Sequence, residues 1–304
     1  MTDFLTVPDL GADGLASVVG LADAVKRDRQ AYAGRLAGMR IGLFFEKPST
    51  RTRVSCEVAA ADLGAHPVVL KSDEVGLGKR EAVEDVARTL DRYLDVLALR
   101  VFDHANLVTI ADYADAPVVN LLSDRSHPCQ ALADLQTIAE HRKLAGTVIA
   151  YIGDGNNVCH SLMMGAALSG MQLRAATPEG FEPHPDLVAE AQAKAVASGG
   201  SIIIGNDPVG AVEGADVVYT DVWASMGQET EADERKKRFT AFHIDERLFG
   251  RAAADAMFLH CLPAHRGEEV AHEVIEHERS YVFDQAENRM HAFKALLLHV
   301  TGRA

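Results

Sequence analysis

Short apolar runs typical of β-strands alternate with helical patterns along almost the whole chain. Ten candidate strands lie at Arg40–Phe45, His66–Leu70, Val96–Arg100, Val118–Leu122, Val148–Ile152, Gln172–Ala176, Ser201–Gly205, Val217–Thr220, Met257–Leu259 and Tyr281–Phe283. This alternation predicts an α/β fold of parallel sheets with helices on both faces. Strongly twisted open sheets rarely exceed about ten strands, so ten candidates fit two sheets better than one.

The length of the chain also favours two domains. Its 304 residues are enough for two domains of about 150 residues each. We place the boundary in the stretch His141–Thr147, after a helix that starts at Pro128, which gives domains 1–143 and 144–286. A final helix, Glu287–Val300, follows the last candidate strand, and we expect segment 287–304 to pack back on the first domain.

Composition excludes several classes of protein. The formal net charge of −14 argues against nonspecific nucleic-acid binding, which needs a basic surface. The N-terminus lacks the features of a signal peptide, and no stretch of 18 apolar residues suggests a membrane span, so we expect a cytoplasmic protein. The four cysteines share no Cys-x-x-Cys spacing, which indicates free thiols in a reducing compartment.

Hydroxyl and guanidinium groups crowd the junction between the first candidate strand and the following helix. The stretch Phe45–Arg53 carries Ser49, Thr50, Arg51 and Thr52 where the helix begins. Free backbone N–H groups and the positive end of the helix dipole favour an anion at such a place, and arginine forks suit phosphate oxygens. The stretch therefore predicts a site for a small phosphorylated substrate. The alternative is a helix cap with surface arginines.

Other polar residues lie at further strand-to-helix junctions, where open α/β sheets bind ligands. His127 and Gln130 follow the strand Val118–Leu122 and flank Pro128, which suits the first position of a helix. They can exchange hydrogen bonds with a carbonyl or an amide, although His127 can equally be a helix cap. Arg100 and Arg289 can close an anion pocket or be ordinary exposed arginines.

A glycine-containing loop, Gly153–Asn157, follows the strand Val148–Ile152. It resembles a dinucleotide-binding loop, but Val158 occupies the place of the third glycine of that fingerprint, which argues against nucleotide binding. Its two consecutive asparagines suit a polar substrate such as an amino acid.

Two chemically distinctive residues follow later strands. Asp221 can bind an ammonium group or cap a helix or a turn. Cys261, which follows His260, can be a thiolate nucleophile, a metal ligand or a buried structural cysteine. No second Cys or His stands at ligand spacing, so we expect no metal site.

Taken together, these motifs resemble the aspartate/ornithine carbamoyltransferase superfamily, and within it the ornithine carbamoyltransferases most closely. The resemblance spans roughly Ile41–Val300. Ser-Thr-Arg-Thr-Arg and His-Pro-Cys-Gln are shared across the superfamily, whereas Asp-x-x-x-Ser-Met-Gly and His-Cys-Leu-Pro mark the ornithine type. The resemblance implies two Rossmann-like α/β domains with the active site in the cleft between them, in a homotrimer or a higher multiple of trimers.

The resemblance also implies roles for individual residues. It assigns carbamoyl phosphate to Ser49, Thr50, Arg51, Thr52, Arg100, His127, Gln130, Cys261, Leu262 and Arg289. It assigns ornithine to Asn157, Asp221, Ser225 and Met226. Of these residues, it implies catalytic roles for Arg100, His127, Asp221 and Cys261. Carbamoyl phosphate is already activated, so no metal or organic cofactor is expected. The implied reaction is direct attack by the δ-amine of ornithine on the carbamoyl carbon, without a covalent intermediate on Cys261.

One loop departs from the pattern of the family. The loop after the second strand usually reaches the site of a neighbouring subunit, and many members carry a Gln there. In this chain the loop is Ser72–Arg80, which has no Gln, so Lys79 or Arg80 would have to replace it.

Three rival functions can be weighed from the sequence, and one of them, a non-catalytic anion-binding protein, is disfavoured because both half-sites look complete. The other two are as follows. The first is a carbamoyltransferase for putrescine, N-acetylornithine or aspartate, against which Ser225-Met226-Gly227 is the main evidence. The second is a nicotinamide-dependent oxidoreductase with a degenerate dinucleotide loop, against which Val158 and the phosphate motif weigh.

Overall fold

The computed structural model describes residues 2–224 and 232–304. The chain divides into two compact units, one formed by Met1–Gln136 with Glu287–Ala304 and the other by Thr137–Ala286. Each unit contains one fully parallel sheet, so the predicted α/β class with two parallel sheets is confirmed. Among the described residues, no helix is long and apolar enough to cross a membrane.

The first unit contains a four-stranded sheet in the order β2-β1-β3-β4. Its strands are β1 (Arg40–Phe45), β2 (His66–Lys71), β3 (Val96–Arg100) and β4 (Val118–Leu122). Its helices are α1 (Gly11–Arg27), α2 (Arg29–Tyr32), α3 (Thr50–Asp62), α4 (Ser72–Val75), α5 (Val83–Asp91), α6 (His104–Tyr113) and the start of α7 (Pro128–Ala139), with a 3₁₀ turn at Val7–Leu10. All five residues of β3 are buried, as expected for a strand covered on both faces.

The second unit contains a five-stranded sheet in the order β7-β6-β5-β8-β9. Its strands are β5 (Val148–Ile152), β6 (Gln172–Ala176), β7 (Ser201–Gly205), β8 (Val217–Thr220) and β9 (Met257–His260). The helices are α8 (Asn157–Leu168), α9 (Pro185–Ser198), α10 (Pro208–Val212), α11 (Ala232–Phe239), α12 (Glu246–Phe249), α13 (His272–Ile275) and α14 (Val282–Val300), with a 3₁₀ turn at Thr240–Phe242. The last of these, α14, runs on into the segment grouped with the first unit.

Nine of the ten predicted strands are confirmed to within one residue at each end, and the tenth is wrong. Tyr281–Phe283 is not a strand, because α14 begins at Val282, before the predicted start at Glu287. Only one isolated bridge, between Phe258 and Ser280, continues the sheet pattern there. A three-residue apolar run cannot be told from the start of a buried helix by its pattern, whereas Asp284 in the first turn favours a helix N-terminus.

The division between the compact units lies inside α7, upstream of the boundary that we predicted after residue 143. Residues from Glu287 onward are grouped with the first unit. The polar contacts that hold this C-terminal segment there include two made by lysines. Lys294 pairs with Asp62, and Lys26 Nζ donates to Asn288 Oδ1 at 2.8 Å. The fully buried Lys294 therefore has a carboxylate partner.

Candidate active site

Four separate segments bring polar side chains together at the carboxyl edge of the first sheet. They are the start of α3, the end of β3, the junction between β4 and α7, and the part of α14 that is grouped with this unit. Parallel strands all end at the same edge, which explains why the first three segments converge. We call the resulting set the phosphate cluster; it consists of Thr52, Arg100, His127, Gln130 and Arg289.

The N-terminus of α3 is capped by Ser49. Its backbone is extended, and its hydroxyl accepts a hydrogen bond from Thr52 N at 3.4 Å and donates one to Thr52 Oγ1 at 3.0 Å. Ser49 therefore caps the helix, and this is compatible with the predicted anion site at the same helix N-terminus. Thr52 is buried, whereas Thr50 and Arg51 are exposed in the first turn. The helix thus presents an exposed guanidinium beside the backbone N–H groups of its first turn.

Two buried guanidinium groups converge on the hydroxyl of Thr52. Arg100 Nη1 lies 3.4 Å from Thr52 Oγ1, and Arg289 Nη2 lies 3.5 Å from the same oxygen. Arg289 also donates to Gln130 Oε1 at 2.6 Å, and Gln130 donates onward to the buried Asp134 at 2.7 Å. Two like charges held this close in a buried place favour an anion between them. The cluster is therefore suited to bind a phosphate group.

The register of β3 helps to position Arg100. Leu99 pairs with Asn120, but Arg100 pairs with Leu122, so Leu121 is skipped in the ladder. Irregularities of this kind redirect a side chain and are common beside active sites. Arg100 retains only 7% of its exposure, although exposed arginine is the usual case.

His127 is buried at the start of α7, and its carbonyl accepts the first helical hydrogen bonds. Burial lowers the pKa of His127 well below its usual value, and the nearby Arg289 and Arg100 lower the pKa further. The imidazole is therefore neutral at neutral pH and can donate one hydrogen bond to a carbonyl oxygen without adding charge. Burial similarly raises the pKa of Cys129, in the first turn of α7, to about 12, so that thiol is not a nucleophile.

The second unit contains a different set, which we call the carboxylate cluster: Asn156, Asp221 and Cys261. Asp221 follows β8, is 5% exposed, and does not cap a helix. Asn156 Nδ2 donates to Asp221 Oδ2 at 2.9 Å, and Cys261 Sγ donates to Asp221 Oδ1 at 3.0 Å. Each carboxylate oxygen is thus fixed by a neutral donor, and the negative charge has a defined orientation.

Asn156 was missed by the sequence analysis, which selected its neighbour Asn157. Asn156 is the N-cap of α8, and its Oδ1 accepts from the N–H groups of Val158 and Cys159 while its amide reaches Asp221. Its position before a helix could have revealed the cap, but not the contact with Asp221. Asn157 is the first residue of α8 and is partly exposed. Ser225 and Met226 lie outside the described residues.

The backbone beside Cys261 has an unusual conformation. Leu262 has a φ of 56°, which costs a residue other than glycine about 1–2 kcal/mol. Its N–H donates to Nδ1 of the fully buried His260 at 2.9 Å. A hydrogen bond contributes about 0.5–1.5 kcal/mol, so this single contact offsets much of the backbone cost.

The ring of His260 is held in turn by a second buried group. Its Nε2 lies 3.2 Å from Oε1 of Glu269, which also accepts from His265 N at 2.5 Å. Neither His260 nor Glu269 is exposed to solvent. From the sequence, His260 was noted only as a neighbour of Cys261 and Glu269 was not predicted, because nothing in the sequence pairs residues nine positions apart across a loop.

Among the residues that the structure describes, two groups of side chains have the composition of metal sites. The ligand atoms of Asp221, His260 and Cys261 lie within 4.8 Å of one another, as do those of His265, Glu268 and Glu269. In the first group, both ring nitrogens of His260 already have partners and Cys261 donates to Asp221. In the second, Glu268 pairs with Lys236 at 2.8 Å. Hydrogen bonds and an ion pair thus already engage several of the ligand atoms in both groups.

The glycine loop after β5 is not shaped for a dinucleotide. A Cβ on Gly155 would lie 2.3 Å from Pro183 N, and Gly155 N donates to Phe181 O at 2.9 Å. The glycine therefore serves a close approach of the loop to the following segment of this chain. Val158, in the third position, is buried in α8. Both observations weigh against the oxidoreductase alternative.

The loop that departs from the family pattern begins with the short helix α4. Gly76 ends α4 in the left-handed conformation, and Arg80 Nη2 donates to Glu74 O at 2.6 Å. Lys79 is exposed. Arg80 thus stabilises its own loop, whereas the side chain of Lys79 faces solvent.

Comparison with known proteins gives consistent matches over both parts of the chain. The family model for the carbamoyl-P binding domain of aspartate/ornithine carbamoyltransferase matches residues 2–140, and the model for the Asp/Orn binding domain matches residues 145–300. The ornithine carbamoyltransferase of Anoxybacillus flavithermus is 50% identical over 300 residues, which cover 97% of this chain and 95% of that protein. The anabolic ornithine carbamoyltransferase of Pyrococcus furiosus is 52% identical over 268 residues, covering 88% of this chain and 85% of that protein. A solved structure of ornithine carbamoyltransferase from P. furiosus has a TM-score of 0.96 at 48% identity and covers 99% of this chain and 97% of that chain.

Proposed function

Because the chain belongs to the aspartate/ornithine carbamoyltransferase family, we propose that its two clusters each bind one of the two substrates of that reaction. The enzyme transfers the carbamoyl group of carbamoyl phosphate to the δ-amine of L-ornithine and releases L-citrulline and phosphate, a reaction of arginine metabolism and amino-acid biosynthesis. The observation that carries the division is the contrast in charge: the phosphate cluster holds two buried guanidinium groups, and the carboxylate cluster holds an oriented negative charge.

Carbamoyl phosphate binds to the phosphate cluster in this proposal. Ser49, Thr50, Arg51 and Thr52 receive the phosphate at the N-terminus of α3, where backbone N–H groups and the helix dipole add to the side-chain donors. Arg100 and the neutral His127 donate to the carbamoyl oxygen, which becomes an oxyanion during attack. These donors are fixed by burial before the substrate arrives, which is the condition under which they stabilise a transition state most strongly.

The remaining groups of carbamoyl phosphate require acceptors. The carbamoyl NH₂ has two N–H donors and no charge of its own, so a backbone carbonyl at Cys261–Leu262 and the side-chain oxygen of Gln130 are suitable partners. Arg289 fixes Gln130 Oε1 and completes the positive side of the pocket. In this assignment the backbone beside Cys261 contributes more than its thiol.

Ornithine binds to the carboxylate cluster, with Asn157, Ser225 and Met226 as further contacts. Asp221 attracts the amino groups of the substrate, and Asn156 and Cys261 keep its carboxylate in position. The δ-ammonium first loses a proton to solvent, and its neutral nitrogen attacks the carbamoyl carbon. The C–O bond to phosphate breaks, and phosphate leaves with that electron pair and takes up the second proton that the nitrogen releases. No bond to Cys261 is needed at any step, because the amine is the final acceptor.

We extend the proposal to the assembly and location of the enzyme: a cytoplasmic homotrimer or a multiple of trimers. The family resemblance supports the trimer, and so does an apolar face on α3, where Val54 and Val58 lie one turn apart and are 55% and 40% exposed. Lys79 then replaces the usual Gln in reaching a neighbouring subunit, since Arg80 is bonded to its own loop.

A substrate comparison tests the function. Formation of the carbamoylated product and release of phosphate should be measured with carbamoyl phosphate and, in parallel reactions, ornithine, putrescine, N-acetylornithine or aspartate as the acceptor. We expect ornithine to have the highest kcat/KM. A higher value for another amine would transfer the assignment to that substrate while leaving the carbamoyl phosphate site in place.

A further inference from the structure

The pair formed by His260 and Glu269 is buried, polar and outside the set of substrate-binding residues. Neither side chain is exposed, and one oxygen of Glu269, Oε2, has no partner among the described residues. A buried carboxylate with an unsatisfied oxygen is costly for folding. A cost of this kind in a native structure calls for an explanation beyond packing.

The geometry of the peptide between Cys261 and Leu262 connects this pair to the reaction. The peptide unit is planar and trans, so its N–H and its C=O point in opposite directions. The Leu262 N–H points at His260 Nδ1, 2.9 Å away. The Cys261 carbonyl in the same plane must therefore point away from the buried imidazole.

The pair also fixes which ring nitrogen of His260 accepts. Nε2 faces the carboxylate of Glu269 and so carries the proton, which leaves a lone pair on Nδ1 for the Leu262 N–H. Without Glu269 the ring could adopt the other tautomer, in which an Nδ1–H would oppose the Leu262 N–H. Glu269 thereby sets the orientation of a peptide that is two hydrogen bonds away.

We infer that His260 and Glu269 are positioning residues for the transfer reaction: they hold Leu262 in its left-handed conformation and so aim the Cys261 carbonyl at the carbamoyl NH₂. This inference rests on the proposed role of the Cys261–Leu262 backbone in binding carbamoyl phosphate. Leu262 has a φ of 56° without being a glycine, so the conformation depends on contacts that hold it.

The decisive test compares two substitutions at one position. In His260→Asn the side-chain oxygen lies near the place of Nδ1 and can still accept from Leu262 N–H. In His260→Gln the amide reaches toward Glu269 instead, and the acceptor for Leu262 is lost. We expect His260→Gln to lower kcat/KM for carbamoyl phosphate about 10- to 100-fold, since a displaced contact of this kind has effects of that size, and His260→Asn to retain most of the activity.

The chain offers a matched control for these variants. His277 Nδ1 accepts from Arg279 N at 3.0 Å, which is the same contact between a histidine and the residue two positions on. This histidine is partly buried in the same unit and is not adjacent to Cys261. His277→Gln should lower thermal stability without changing kcat or either KM.

A second-site substitution separates positioning from packing. Glycine adopts a positive φ at little cost, so Leu262→Gly should partly restore the activity of His260→Gln. The double variant should then be more active than the product of the two single effects predicts. A purely structural role for His260 gives no such rescue.

Three kinetic outcomes would contradict the positioning role of His260. Equal losses in His260→Asn and His260→Gln, wild-type kinetics in folded His260→Gln, or the absence of rescue by Leu262→Gly would each overturn it. If His260→Gln does not fold, Glu269→Gln is the variant to test in its place. A lower kcat/KM for carbamoyl phosphate in that variant supports the inference, and unchanged kinetics contradict it. Binding of inorganic phosphate should be unaffected in all folded variants, because its residues belong to the first unit.

Failure of the proposed function is distinguishable from failure of this inference. Arg51→Ala tests the phosphate assignment alone. If it leaves carbamoyl phosphate kinetics unchanged, the proposed site is wrong. If it impairs them while His260→Asn and His260→Gln behave alike, only the positioning role is wrong.

Discussion

The phosphate cluster and the carboxylate cluster achieve rigidity in different ways. In the phosphate cluster, fixed positive charges surround the hydroxyl of Thr52, and the donors come from four distant segments of the chain. In the carboxylate cluster, one negative charge is held by two neutral donors beside a backbone turn with a positive φ. Arginine stays charged at all relevant pH values, whereas the amine that the carboxylate cluster is proposed to bind must lose a proton before it reacts. We therefore expect substrate binding at the phosphate cluster to depend on its positive charges, and the rate at the carboxylate cluster to depend on the protonation state of the bound amine.

The largest effect should come from removing the only negative charge of the carboxylate cluster. In Asp221→Asn, the amide cannot neutralise the ammonium of ornithine, and one of its positions becomes a donor that opposes Asn156 or Cys261. We expect the variant to lose about 2–4 kcal/mol of transition-state stabilisation, so that kcat/KM for ornithine falls about 30- to 1000-fold. KM for carbamoyl phosphate should change far less. Steady-state kinetics with each substrate varied separately measure both effects. An equal loss for both substrates would erase the proposed division of labour.

Removing one positive charge from the phosphate site should have a smaller effect, because other donors remain. Arg51→Ala deletes an exposed guanidinium at the N-terminus of α3. A charge-assisted hydrogen bond contributes about 1.5–3 kcal/mol, so kcat/KM for carbamoyl phosphate should fall about 10- to 150-fold.

Arg53→Ala is the matched control for Arg51→Ala. It removes the same side chain two residues on, where the guanidinium pairs with Glu57 at 2.6 Å on the exposed side of the helix. Exposed pairs of this kind contribute little to stability, and this variant should keep wild-type kinetics. If the two variants behave alike, the phosphate assignment at Arg51 is wrong.

The dependence of the rate on pH sharpens the contrast between the clusters. The δ-amine has an intrinsic pKa of about 10.4 if it resembles lysine. Below that pH, the fraction of amine in the reactive neutral form rises about tenfold for each unit by which the pH is raised. His127 should add no second step between pH 6 and 8, because its pKa lies well below its usual value. We therefore expect the rate at subsaturating ornithine to rise steadily from pH 6 to 8. A flat profile, with chemistry shown to limit the rate, would contradict direct attack by the amine.

The smallest effect should come from Cys261→Ser. The serine hydroxyl can still donate to Asp221 Oδ1, so the carboxylate cluster keeps its orientation, and we expect a loss of about three- to tenfold in kcat/KM for ornithine. Combined with Asp221→Asn, the effect should be less than additive, because both residues act on the same substrate amine. Complete inactivation, together with a carbamoylated thiol detected by mass spectrometry in the wild type, would make Cys261 a nucleophile.

Much of the architecture could be predicted from local sequence patterns. Strands such as β3, which is apolar throughout, are visible because burial on both faces demands a continuous apolar run. The tenth strand failed because Tyr281–Phe283 is too short for its pattern to separate a strand from the start of a helix. The compact units divide inside α7, and the domain boundary after residue 143 stays a prediction. A helical pattern carries no mark of the place where its contacts change from one compact unit to the other.

Sequence alone determined the fold class, the chemical character of each junction between strand and helix, and the family resemblance. These properties depend on local pattern and residue type, which the chain states directly. Only the tertiary structure decided that Arg100 and Arg289 share the hydroxyl of Thr52, that Asn156 holds Asp221, and that Glu269 supports His260. Each of these contacts joins residues whose separation along the chain, from nine positions to more than two hundred, carries no periodic signal, so it arises only when packing brings their elements together.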